Sequence, residues 1–125
     1  MSVIRGYREL IAWQKAMDLA DGVFELASGL RRPETFCLAD QMRRAAVSIP
    51  ANLAEGHGRR TRGEYIRFVS IANGSLRELE THLLLTQRRK LASAGELEAL
   101  LAVADQVGRL LTGLHRRLIS MHQAR

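Results

Sequence analysis

At 125 residues, with 46% apolar and 26% charged residues, the chain is long enough for one hydrophobic core and has the composition of an ordinary folded soluble protein. Its single cysteine, Cys37, excludes an intramolecular disulfide and suits a reducing cytosol, and no apolar run approaches the roughly 20 residues of a membrane span. The formal net charge of +6 favours polyanionic partners such as RNA or DNA.

The opening Met1-Ser2-Val3-Ile4-Arg5-Gly6-Tyr7 lacks the apolar core of a signal peptide, so the expected location is cytoplasmic. A first helix is predicted over Arg8 to Ser28. Trp13, Met17, Ala20, Phe24 and Ala27 form one apolar stripe, and Leu19, Val23, Leu26 and Leu30 form a second; recurrence at three- and four-residue steps marks a helix face. Gly29 is the stop, and Pro33 pushes Arg32 out of helical geometry in the link that follows.

The second helix is predicted over Thr35 to Glu55. At its centre is the stretch Gln41 to Gly56, where Met42, Ala45, Ile49, Asn52 or Leu53, and Gly56 share one face. Pro50 lies inside it. Proline has no N–H for the carbonyl of Ala46 and costs roughly 3 kcal/mol relative to alanine in a helix interior. The apolar period nevertheless runs through Ile49 to Leu53, so the helix is expected to continue, with a kink. Ser48 and Asn52 are expected to satisfy carbonyls around the proline, and Asn52 to help set helix register.

Thr61 with Glu64 reads as a capping box opening a third helix over Arg62 to Leu91. Tyr65, Phe68 or Val69, Ala72, Leu76, Leu79 and Leu83 mark its inner face, and Gly74-Ser75 is expected to allow close helix approach. Ser93 with Glu96 opens a fourth helix over Ala94 to His122, with Leu97, Leu100, Leu101, Ala104, Val107, Leu111, Leu114 and Leu118 as its core face. Val103, Leu110 and Ile119 stand off that stripe. Helices one and four thus carry more apolar surface than a four-helix core needs, which points to a subunit interface. Long helices with short links predict an all-α, antiparallel up-down-up-down four-helix bundle that occupies residues 1–125 as one domain.

Three stretches occur in a telling order: Trp13-Gln14-Lys15-Ala16-Met17, the run Gln41 to Gly56, and Phe68 to Glu78. Together they resemble the bacterial four-helix-bundle proteins encoded in intervening sequences of 23S ribosomal RNA genes, over nearly the whole chain. The resemblance implies a ring-like homo-oligomer, most simply a homopentamer. The related accessory variability protein of diversity-generating retroelements has that form and binds nucleic acid and a reverse transcriptase. One departure is Phe36-Cys37-Leu38, where the family commonly has Tyr-Gly-Leu. If that glycine serves a positive φ, Cys37 would resist it and the start of helix two would differ.

In the predicted topology both ends of the bundle are basic. One gathers Arg59, Arg60 and Arg62 with Arg5, Arg8 and Arg125; the other gathers Arg88, Arg89 and Lys90 with Arg31 and Arg32. The first trio, in a glycine-flanked link free to track a backbone, is the preferred nucleic-acid contact, and the second is the alternative. The plain reading of either is solvated loop ends offsetting helix carboxyl termini. With 5% aromatic residues, binding should use phosphates rather than base stacking and should tolerate sequence.

Arg77/His82, Arg109/His115 and Arg117/His122 each fit the loose Arg-x(4–6)-His spacing of HEPN ribonucleases. All but Lys15 and Lys90 of the 19 cationic residues are arginine, so such spacings arise easily. No histidine follows a glutamate at the three-residue step of a di-iron bundle, and Cys37 has no nearby zinc-ligand partner. No catalytic residue, metal or cofactor is expected. The expected function is that of a non-enzymatic, cytoplasmic homo-oligomer binding RNA or DNA through phosphates, without membrane contact. The alternatives are a protein-binding adaptor with no nucleic-acid role and a HEPN-like ribonuclease.

Overall fold

The computed structural model describes residues 5–123. Four helices follow one another: α1 (Ile11–Ser28), α2 (Phe36–His57), α3 (Arg62–Arg88) and α4 (Ala94–Gln123). No strand occurs among the described residues. Each helix packs on two others, α1 on α2, α2 on α3, α3 on α4 and α4 on α1, so the four enclose one apolar cluster.

The first helix starts later than its sequence suggests. Tyr7–Glu9 form a 3-10 turn, and Leu10, in extended backbone, is 5% exposed. Burying Leu10 turns the chain before α1 begins, and the Tyr7 ring stands edge-on to Trp13, 5.3 Å between centroids. Of the two predicted stripes in α1, Leu19, Val23 and Leu26 are core, whereas Met17 and Phe24 are 40% and 46% exposed. In α4, Val103 and Leu110 pack against the core. Ile119 is only half-buried and Met121 is 50% exposed, so apolar surface is left over on α4 as well as on α1.

Helix α2 runs unbroken through a buried Pro50. The side chains beside it act locally: Asn52 Nδ2 donates to the Ser48 carbonyl at 2.8 Å and to Ser48 Oγ at 2.9 Å. The Ser48 hydroxyl also meets the Ser75 hydroxyl of α3 at 2.7 Å. The carbonyl served is thus that of Ser48, not the one Pro50 leaves without its helical donor. Cys37 lies in the first turn of α2, exposed, and the only positive φ of a non-glycine described residue is 54° at Lys90. The Tyr-Gly-Leu to Phe-Cys-Leu change needs no left-handed backbone here.

Gly74 is not where helices come close, because a Cβ there would meet nothing within 4 Å. The close approach of α2 to α3 is at Gly56, where a Cβ would stand 2.6 Å from Phe68 Cβ and 3.2 Å from Tyr65 Cδ1. That approach brings the end of α2 onto the start of α3. At that start the Thr61 hydroxyl accepts the Glu64 amide at 3.2 Å, which caps α3. Helix α3 ends three residues short of the predicted Leu91. Lys90 in left-handed backbone and the Leu91 amide bonding the Thr86 carbonyl at 3.1 Å close it.

Candidate nucleic-acid interface

The link between α2 and α3 and the last turn of α4 form an open cleft of about 380 Å³. Arg59, Arg60, Thr61, Arg62, Gly63, Tyr65 and His122 line it. Its position follows from local sequence. Gly56 lets α2 come down onto Phe68, Gly58 ends α2, and Thr61 restarts the helix at once. Of the first-turn amides of α3, that of Glu64 is taken by the Thr61 hydroxyl and that of Tyr65 bonds the Thr61 carbonyl. The positive end of a long helix favours an anion there.

The arginines are not free ends of a loop. Arg62 Nη1 donates to the Met121 carbonyl at 2.9 Å and ties the link to α4. Arg59 Nη2 bonds Glu55 Oε1 at 2.7 Å, its Nε stands 4.0 Å from Glu64 Oε2, and its guanidinium lies 4.8 Å over the Phe68 ring. Arg60 has no ion pair or side-chain hydrogen bond among the described residues. The trio therefore lines one place, with two members held by the fold and one projecting. Burial pushes the Tyr65 phenol above its ordinary range, with the Arg117 guanidinium pulling the other way, so the phenol enters the cleft neutral. Tyr65 is also met edge-on by His57 at 5.7 Å. Arg125, grouped with this end on sequence, lies outside the described residues.

The alternative trio is arranged otherwise. Arg88, Arg89 and Lys90 are exposed and follow one another off the end of α3. Arg88 lines a depression with Thr81, Leu84, Leu85 and Gln87, but Arg89 and Lys90 do not. Arg31 donates to the Ser28 carbonyl at 3.2 Å and lines a separate depression with Phe36 and Arg43. These cations share a region without converging.

Sequence reasoning missed two features. On the flank of α3 and α4, Arg77, Asp105, Gly108, Arg109, Thr112, Gly113 and Arg116 line an open groove of about 350 Å³. The signal was present as Arg109, Thr112 and Arg116 at helical steps. On the opposite flank, Phe24 and Val47, 46% and 47% exposed, line an apolar depression with Arg43, Arg44 and Ser48.

Two of the three arginine–histidine pairs of the loose ribonuclease spacing, Arg77/His82 and Arg109/His115, find other partners. Arg77 bonds Glu80 at 2.6 Å, His82 meets Glu78 at 3.3 Å, Arg109 pairs with Asp105 at 3.1 Å, and His115 meets Ser70 at 3.4 Å. Among the described residues, no three His, Cys, Asp or Glu side chains gather as a metal site. No helix among them is long and apolar enough to cross a membrane.

Comparison with known proteins places this geometry. No curated protein matches the chain. Its fold is similar to the crystal structure of a protein of unknown function from the S23 ribosomal protein family of Bacteroides thetaiotaomicron, with a TM-score of 0.79 and 23% identity over 84% of this chain and 98% of that one. The description of the 23S rRNA-intervening sequence protein family matches residues 8–113, all four helices included for most of their length. The chain belongs to the 23S rRNA-intervening sequence protein family.

Proposed function

We propose that the protein is a non-enzymatic, self-associating antiparallel four-helix bundle that binds RNA or DNA by phosphate contact at the amino end of α3. The observation that carries this reading is the convergence of Arg59, Arg60 and Arg62 on one open cleft beside the first turn of a 27-residue helix. Such a cleft attracts phosphate oxygens and ignores bases, so binding is sequence-tolerant and weakens with salt.

The antiparallel arrangement is supported by pairs whose numbers fall as their partners' rise. Gly56 meets Phe68 while Ser48 meets Ser75 between α2 and α3. Arg62 meets Met121, Ser70 meets His115 and Gly108 meets Leu76 between α3 and α4. Self-association is supported by Met17, Phe24 and Val47, which the single chain leaves 40%, 46% and 47% exposed; five copies is the number the family resemblance implies. The single cysteine is exposed, in keeping with a reducing, cytoplasmic setting.

The test is a salt series of binding to duplex and single-stranded RNA and DNA, with light scattering on the same samples. Binding that falls steeply with salt, by an oligomer larger than the 14.0 kDa chain, is expected. Absence of salt-sensitive binding would overturn the nucleic-acid part. A reading as a protein-binding adaptor is favoured by one observation, the apolar depression at Phe24 and Val47, and would then take its place. RNA cleavage without added metal would instead favour the ribonuclease.

A further inference from the structure

We propose that the cleft continues as a track along the seam between α3 and α4, and that the groove walled by Arg77, Arg109 and Arg116 is its second phosphate contact with the same nucleic-acid strand. This rests on the cleft at the amino end of α3 being the first such contact.

The seam itself is polar. Moving from the cleft toward the carboxyl end of α3, Ser70 Oγ meets His115 Nε2 across it at 3.4 Å. Asn73 follows, half-buried, with its Oδ1 unpartnered among the described residues. Ser70, Asn73 and Arg77 fall at three- and four-residue steps, which sets them on one face of α3. A seam that served packing alone would be apolar along this line.

The groove is shaped by what α4 lacks. Arg77 reaches across from α3 until its Nη2 is 3.7 Å from where a Cβ on Gly108 would stand. Gly108, Thr112 and Gly113 therefore leave a shallow floor, with a hydroxyl at Thr112, between guanidinium groups from two helices. Arg77 and Arg109 pair with Glu80 and Asp105 on their own helices, with side chains 58% and 81% exposed. Exposed pairs of that kind are weak, and a guanidinium fork exchanges one readily for a bidentate phosphate. Arg116 has no ion pair among the described residues. At about 1.5 Å per residue, Arg62 to Arg77 spans roughly 22 Å along α3. The two sites are thus far enough apart that only a strand of several nucleotides engages both, within the roughly 4–16 nucleotides that single-strand sites occupy.

Strand length separates the two sites. Fluorescence anisotropy is measured over a salt series with labelled poly(U) and with the dinucleotide UpU. The proteins are the wild type, a groove variant (Arg77→Ala, Arg109→Ala, Arg116→Ala), a cleft variant (Arg59→Ala, Arg60→Ala, Arg62→Ala) and an equal-charge control on α1 and the link after it (Lys15→Ala, Arg31→Ala, Arg32→Ala). The groove variant should bind poly(U) more weakly, with the log–log salt slope lowered by roughly 0.7 for each phosphate no longer neutralised, and bind UpU like the wild type. The cleft variant should weaken binding to both probes. The control should keep the wild-type slope. Arg116→Ala alone, which removes no ion pair of the fold, should lower the slope by about one phosphate's share even if the triple variant folds poorly. A groove variant with the wild-type poly(U) slope overturns the track while leaving the cleft standing. A control that lowers the slope as much as the groove variant also overturns it, because bulk charge then accounts for the effect. A wild type that binds neither probe overturns both readings.

Discussion

The two ends of α3 carry matching charge and opposite design. Three cations stand at each: Arg59, Arg60 and Arg62 before or at its start, Arg88, Arg89 and Lys90 at or after its end. At the amino end the chain turns back within four residues, Gly56 presses α2 onto Phe68, and Arg59 and Arg62 are held by Glu55 and the Met121 carbonyl. The cations line one cleft and the helix adds its positive end. At the carboxyl end the cations succeed one another along a left-handed turn, only one lines a depression, and their charge offsets the helix's own terminal carbonyls. Held side chains have less freedom to lose on binding. Equal charge therefore does not mean equal capacity to hold a phosphate; convergence decides.

The sharpest way to break that contrast is to remove the close approach behind it. Gly56→Ala would drive a Cβ to 2.6 Å from Phe68 Cβ, an atom fixed to the backbone, and should destabilise by about 1–3 kcal/mol, as overpacked cores do. Gly74→Ala, with nothing within 4 Å, should instead stabilise by about 0.5–1 kcal/mol. Urea unfolding of both variants checks the pair, and equal effects would refute the assignment of the close approach to Gly56.

A smaller effect is expected one step along the same seam. Ser75→Ala removes the 2.7 Å hydroxyl pairing with Ser48 and should cost about 1 kcal/mol, since Ser48 Oγ keeps its bond from Asn52. The double variant Ser48→Ala, Ser75→Ala should cost less than the two single changes added together, because they share that bond. Full additivity would mean that the two hydroxyls do not stabilise one another.

The smallest effect is at Tyr65. Its phenol is raised by burial, so the folded state holds the proton longer than the unfolded chain. The stability this gives is fully present below an unfolded value of about 10 and is lost as pH rises through the folded value above it. Tyr65→Phe should flatten that alkaline loss and leave the melting temperature at neutral pH nearly unchanged. A variant that loses stability above pH 10 as steeply as the wild type would contradict it.

Much of this architecture was legible in the residues. The run of Ile49 and Leu53 around Pro50 marked a continuous helix because burial on one face outweighs a missing hydrogen bond. Thr61 and Ser93 marked helix starts through their spacing to Glu64 and Glu96. Where the reading failed, the decisive quantity was a distance between helices. Periodicity showed two apolar stripes on α1 but not how the interior divides them: Ala20 and Ala27 of the first are buried with the second, while Met17 and Phe24 stay outside. Gly74 and Gly56 are equally permissive in sequence, yet only Gly56 stands against side chains of a neighbouring helix. The basic trio was found by composition. That Arg62 is held by α4, and that Arg77 lies across Gly108, depends on partners as far as 59 residues away.

The most direct test of the contrast replaces each trio in turn and reads binding to duplex DNA over a salt series. If the amino end of α3 holds the phosphates, Arg59→Ala, Arg60→Ala, Arg62→Ala should weaken binding to all sequences alike and lower the log–log slope by roughly 0.9 for each phosphate no longer neutralised. Arg88→Ala, Arg89→Ala, Lys90→Ala should leave the slope close to that of the wild type. A slope that falls equally for both trios, or only for the second, would contradict the account.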